Sequence, residues 1–255
     1  MSSKIFTIAQ SKPSLSPRQE LPTMYDLPSE NPEEPGLPDE FHLLQPQLLL
    51  LTFQPQNYQP EMVFSAADLN LYYDVKHPLW YKRPDWFGVV GVSRLYNGQD
   101  MRLSYVIWQE KISPLIVVEL LSPGTERQDL GEEELGADET PSKWEVYEKI
   151  LRVPYYVVFS RYTNELQSFK LVENHYQPIN LLSGKLAIPE AGLSLGLWRG
   201  QYRGIERLWL RWFDQEGQLI ALDSEKLVVA EKRAEKLARM LRELGINPDE
   251  NNLLE

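Results

Sequence analysis

The chain has 255 residues, 42% hydrophobic and 11% aromatic, enough for one sizeable core with appendages. It contains no cysteine, which excludes disulfides, thiolate zinc sites and cysteine nucleophiles and makes a reducing, cytoplasmic setting the expectation; no apolar run approaches the roughly 20 residues that span a bilayer. The net charge of −11 is concentrated, with three Lys/Arg against seven Asp/Glu in residues 1–40 and three against nine in residues 126–150, so acidity weighs less against nucleic-acid binding than the total suggests.

Residues 1–38 hold seven of the nineteen prolines, interleaved with Ser, Glu and Gly, and are expected to form a disordered tail. Residues 39–222 then make the main domain and residues 223–247 a C-terminal helix. "DEFHLLQPQLLLLTF" predicts a first helix, bent near Pro46. Alternation over residues 69–75 predicts a half-exposed strand. "DWFGVVGV" and "LSYVIWQ" predict two strands with "NGQD" as a turn between them, and "PLIVVELLS" is apolar enough to be the central strand.

"PSKWEVYEKILRV" predicts a helix, with Trp144, Tyr147, Ile150 and Leu151 on one stripe and Pro154 beyond its end. "YYVVFS" is a further buried strand, so strand–helix–strand predicts a parallel pair. A hairpin turning near Asn174 and another turning at "DQEG" follow. In the last helix Leu227, Ala230, Ala234, Leu237, Leu241 and Leu244 form a heptad seam of about three heptads. That stripe must pack back on the domain or pair with a second copy, and a homodimer is expected.

Three residues stand out chemically. Asp85 opens one apolar strand, Glu119 lies inside the next core strand, and Lys143 sits in the first turn of the helix that follows. A buried carboxylate is costly unless paired, hydrogen-bonded or bound to a metal. Two acids on adjacent strands can hold Mg²⁺ or Mn²⁺. A nearby lysine can orient water and offset charge on a phosphate. Lysine in a first turn opposes the helix dipole, a mild hint that something else holds it there.

The stretches "RPDWFGVVGV", "PLIVVELLSPGTERQDLG" and "KWEVYEKILRVPYYVVF" resemble the Uma2 family, restriction-endonuclease-like proteins of the PD-(D/E)XK nuclease superfamily that abound in cyanobacteria. The similarity covers residues 53–182 and extends more loosely to the C-terminal helix. It implies an α/β fold, a restriction-endonuclease-like mixed central sheet flanked by helices. It implies that Pro84–Asp85 is the family's Pro-Asp, that Glu119, followed by Ser122, is its strand glutamate, and that Lys143, four residues before Tyr147, is its lysine. The superfamily's usual lysine position, two residues after the strand acid, holds Leu121. Asp85 and Glu119 would then ligate the metal, Lys143 would complete the site, and the substrate would be nucleic acid, DNA by resemblance.

Other residues have plainer expectations. The ordinary place for Tyr147 is a core stripe, with contact to a phosphate as the alternative, and that for Asp129 is an exposed loop, with a supporting position behind the metal ligands as the alternative. The segment "GEEELGADETP" is a solvated insert, and Trp198, Trp209 and Trp212 fill a second layer. His42, His77 and His175 lack metal spacing. The rival to an endonuclease is a non-catalytic protein that keeps the nuclease fold and assembles through its last helix.

Overall fold

In the computed structural model, residues 39–122, 129–131, 140–181, 183–245 and 247 are described. The proline-rich tail and most of the acidic insert lie outside them. Helix α1 (Glu40–Thr52) runs through Pro46, although proline removes one helical donor. Burial outweighs that loss: Phe41, Leu44, Leu48 and Leu49 all sit in the core.

The main sheet has six strands in the order β1 (Val63–Ala66), β4 (Trp86–Val90), β6 (Ile116–Leu121), β7 (Tyr155–Ser160), β8 (Leu166–Val172) and β9 (His175–Pro178). β6 and β7 pair in parallel, as the strand–helix–strand pattern predicts, and the other neighbours are antiparallel. Both faces of β6 are covered, which explains its unbroken apolar run. Ile116, Val118 and Leu120 join a core with α1 and an outer antiparallel sheet of β10 (Lys185–Ile188), β11 (Leu193–Tyr202) and β12 (Ile205–Phe213). Val117 and Leu121 face a second core on the opposite side. Gln45 ties α1 to the outer sheet by reading the Leu210 peptide twice, donating to its carbonyl at 3.0 Å and accepting from its N–H at 2.8 Å.

A small sheet of β2 (Leu71–Tyr72), β3 (Tyr81–Lys82) and β5 (Tyr105–Val106) covers part of the second face. The strand expected over "LSYVIWQ" ends at Val106 and turns into α2 (Ile107–Glu110). A buried ion pair holds this turn: Arg102 donates to both carboxylate oxygens of Glu110, at 2.8 and 3.0 Å.

The helix predicted after the insert is capped by Ser142, which accepts the Glu145 N–H, and begins as α3 (Lys143–Glu145). It then widens into a π-helical turn over Val146–Ile150, closed by the Leu151 N–H on the Val146 carbonyl at 2.8 Å. The wider turn shifts the stripe. Tyr147 and Leu151 stay buried, but Ile150 is 42% exposed, contrary to its expected place.

The Asn174 hairpin forms, with Val172 opposite His175. At "DQEG" the chain does turn, but only an isolated bridge between Phe213 and Leu219 follows. The long partner of β12 is instead β11, joined to it through Arg203 and Gly204. Both turn residues have positive φ, 52° and 80°, as a two-residue hairpin turn requires.

Helix α4 (Asp223–Glu243) starts where Glu225 accepts the Leu222 N–H at 2.7 Å and pairs with the buried Arg211 at 2.9 Å. None of its residues is buried, and Leu227 and Leu237 are both more than half exposed. The seam therefore does not pack back on the domain. No helix among the described residues is long and apolar enough to cross a membrane.

Candidate active site

Register brings the two acids together. β4 and β6 pair Trp86 with Val118 and Phe87 with Val117, so one step further Asp85 meets Glu119. Alternation puts Asp85 on the side of Phe87 and Val89, and Glu119 on the side of Val117 and Leu121, all in the second core. Two hydrogen bonds cross at this point: the Asp85 N–H donates to Glu119 Oε2 at 3.2 Å, and the Leu120 N–H donates to Asp85 Oδ2 at 2.7 Å.

Lys143 faces these acids. Its Nζ donates to Glu119 Oε2 at 3.1 Å and stands 2.9 Å from Asp129 Oδ1. Tyr147, one turn on, donates its hydroxyl to Glu119 Oε1 at 2.8 Å. Tyr147 is thus both a core residue, as its stripe indicated, and a partner of the acid.

Asp129 differs from expectation. It is fully buried rather than an exposed loop acid, because Tyr156 holds its carbonyl at 2.8 Å and Lys143 draws its carboxylate inward. Among the described residues its carboxylate oxygens accept no well-aligned hydrogen bond; the contact with Lys143 is one of charge. Nothing in the local pattern around Asp129 marks it as buried. The available signal was indirect, a single lysine serving several acids.

The electrostatics follow from three carboxyl groups sharing one close ammonium. Burial pushes Glu119 up to about 8, helped by Asp129 and Asp85 and opposed by Lys143 and the Tyr147 hydroxyl. Burial also raises Asp85, against Lys143, His42 and the Leu120 N–H. For Lys143 burial acts the other way, but Glu119, Asp129 and Asp85 outweigh it and keep the ammonium protonated above the usual lysine range. The Tyr147 hydroxyl is held neutral by burial and by Glu119. A surplus of negative charge is left, which a bound proton or a further cation must offset.

The donor set suits a hard divalent cation, since it offers only carboxylate oxygens. Among the described residues no group of three or more His, Asp or Glu is arranged as a ready metal cage. Asp85 and Glu119 would hold such an ion with water completing the shell, the usual manner of Mg²⁺. Leu121 is buried in the second core and supplies no charge; the ammonium comes from the helix instead.

A mixed sheet with paired acids on neighbouring strands and a lysine from the following helix defines a protein of the restriction-endonuclease-like class. Residues 16–206 match the family model of Uma2, described as "Putative restriction endonuclease", and the chain belongs to that family. The match is wider than the stretch of residues 53–182 that carries the resemblance. A search of curated proteins finds no match.

Proposed function

We propose that the protein is a divalent-metal-dependent endonuclease that hydrolyses phosphodiester bonds in DNA. The observation that carries this reading is Lys143 Nζ at 3.1 Å from Glu119, which supplies from a helix the ammonium that Leu121 cannot supply from the strand. A Mg²⁺ or Mn²⁺ ion held by Asp85 and Glu119 would polarise the phosphate and its attacking water. Lys143 orients the water and offsets charge at the phosphorus, while Glu119 and Asp129 fix its ammonium. Tyr147 holds the Glu119 carboxylate in one rotamer. The test is cleavage of plasmid and single-stranded DNA in Mg²⁺ and in Mn²⁺ by the parent, Asp85→Asn and Lys143→Met. Cleavage by the parent that both variants lose supports the reading. Equal activity in all three, which marks a contaminant, refutes it.

One feature favours the non-catalytic rival. Seated between Glu119 and Asp129, the Lys143 ammonium already supplies part of the charge a metal would bring. Titration with Mn²⁺ separates the two, because a protein that keeps only the fold has no need to bind the ion.

A homodimer through α4 belongs to the same reading. The seam from Leu227 to Leu244 is exposed, Leu244 at 75%, and a helix of 21 residues gains little from pairing alone. Adjoining domains would add contact area, and two copies would bring two sites to one duplex. Sedimentation of the full chain beside a version ending at Leu222 is the check; a full-length monomer at about tens of micromolar, too weak for such a seam, refutes the pairing.

A further inference from the structure

The small sheet of β2, β3 and β5 brings a second lysine to the acid cluster, one that the chemistry above leaves unused. Leu71 and Lys82 are ladder partners, so their side chains lie on the same side of that sheet. Leu71 and Tyr73, two residues on, are both buried in the core that also holds Val117 and Leu121. Lys82 therefore points inward and is half-buried, whereas its neighbour Tyr81 is 44% exposed. In sequence it stands three residues before Asp85.

Burial presses the Lys82 ammonium towards its neutral form, the charge of Lys143 adds to this, and Glu119 opposes both. Lys82 thus lies within electrostatic reach of the site, on the small sheet rather than on α3. Yet among the described residues its ammonium makes neither an ion pair nor a hydrogen bond. Lys143 already holds Glu119 and Asp129, and Arg83 beside it pairs outward with Asp68 at 2.6 Å. A half-buried ammonium without a partner is costly unless a ligand supplies one.

We propose that Lys82 is a substrate-binding residue whose ammonium donates to a non-bridging phosphate oxygen of DNA lying over Asp85 and Glu119. The two lysines then divide the work. Lys143 is fixed by carboxylates and serves the reacting centre, and Lys82 is left free to hold the backbone. The proposal rests on the endonuclease reading for its ligand, but its test does not need cleavage.

Binding of a fluorescein-labelled DNA duplex is measured by anisotropy in Ca²⁺ over a range of NaCl concentrations, for the parent, Lys82→Gln and Lys82→Arg. Losing one phosphate contact should weaken binding about fivefold and lower the slope of log K against log salt by about 0.9. Lys82→Arg should restore the slope, and the Lys82→Gln melting temperature should be unchanged or higher, since repulsion from Lys143 is removed. An unchanged slope in Lys82→Gln overturns the proposal and leaves Lys82 as a counter-charge for the acids. If the parent binds with the slope carried by Lys82 but never cuts, the contact stands and the hydrolysis reading falls. If the parent does not bind DNA at all, both fall.

Discussion

Replacing Glu119 by glutamine should change how stability depends on pH more than it changes stability itself. The folded protein keeps a proton on Glu119 up to about 8, while the unfolded chain releases it near 4.5. Between those values the native state binds more protons than the unfolded state, so unfolding free energy falls as pH rises. The limit is about 1.4 kcal/mol for each pH unit, which amounts to about 3 kcal/mol from about pH 5.5 to about pH 8. Asp85, raised in the same sense by burial, adds to this decline. Lys143 does not interfere, because a group held protonated above its ordinary value of 10.5 loses its contribution only at higher pH. Glu119→Gln removes the titrating group and keeps an oxygen that can accept from Tyr147. Its urea midpoint should therefore decline less steeply with pH than the parent's, with Asp85 the raised carboxyl that remains. Mn²⁺ should flatten the parent's decline too, by taking the place of the proton. Parallel pH profiles for parent and variant would refute the account of Glu119 as a carboxyl that burial keeps protonated.

Three further outcomes follow from the same geometry. Arg102→Ala should cost about 3–5 kcal/mol in urea unfolding, because it strands the buried Glu110 and removes a guanidinium 4.4 Å from the Phe64 ring; pairing it with Glu110→Ala should recover part of the loss. Gly88→Ala should cost about 1–3 kcal/mol, read as a lower melting temperature, since a Cβ there would meet Trp86 at 2.7 Å and Phe53 at 2.8 Å. Tyr147→Phe should cost about 1–2 kcal/mol and carry the decline of stability with pH to higher pH, because its hydroxyl lowers the Glu119 pKa.

The acids were legible because an acid inside an apolar run contradicts its surroundings, and Glu119 in "IVVELL" is such a case. Alternation then gave its face. The parallel pairing of β6 and β7 was legible because one helix pattern separates two apolar runs. Asp129 and Lys82 were not, since each lies in a polar stretch where a solvated charge is the ordinary outcome; only tertiary packing turns them inward. The strand β11 escaped notice because Gly196 and Gly200 interrupt its alternation. Those glycines are needed where they lie, as a Cβ on Gly200 would fall 2.0 Å from the Trp198 ring. The displacement of Ile150 was not predictable from a stripe drawn at regular helical spacing, because a π-helical turn has no local periodicity of its own.

β6 runs on past the start of β4, and where its neighbour stops, the edge of the strand is left with the backbone N–H and carbonyl of Leu120. The N–H is taken by Asp85 Oδ2 at 2.7 Å, and the carbonyl accepts from His42 Nε2 at 3.0 Å. One carboxylate and one imidazole thus stand in for the missing rungs, and Asp85 is mortar as well as a prospective ligand. An alanine at position 85 would open the seam between the start of β4 and β6, so lost activity could not be told from a loosened wall. Asparagine keeps an oxygen for the Leu120 N–H while withdrawing the charge, and it is therefore the substitution that asks only about chemistry.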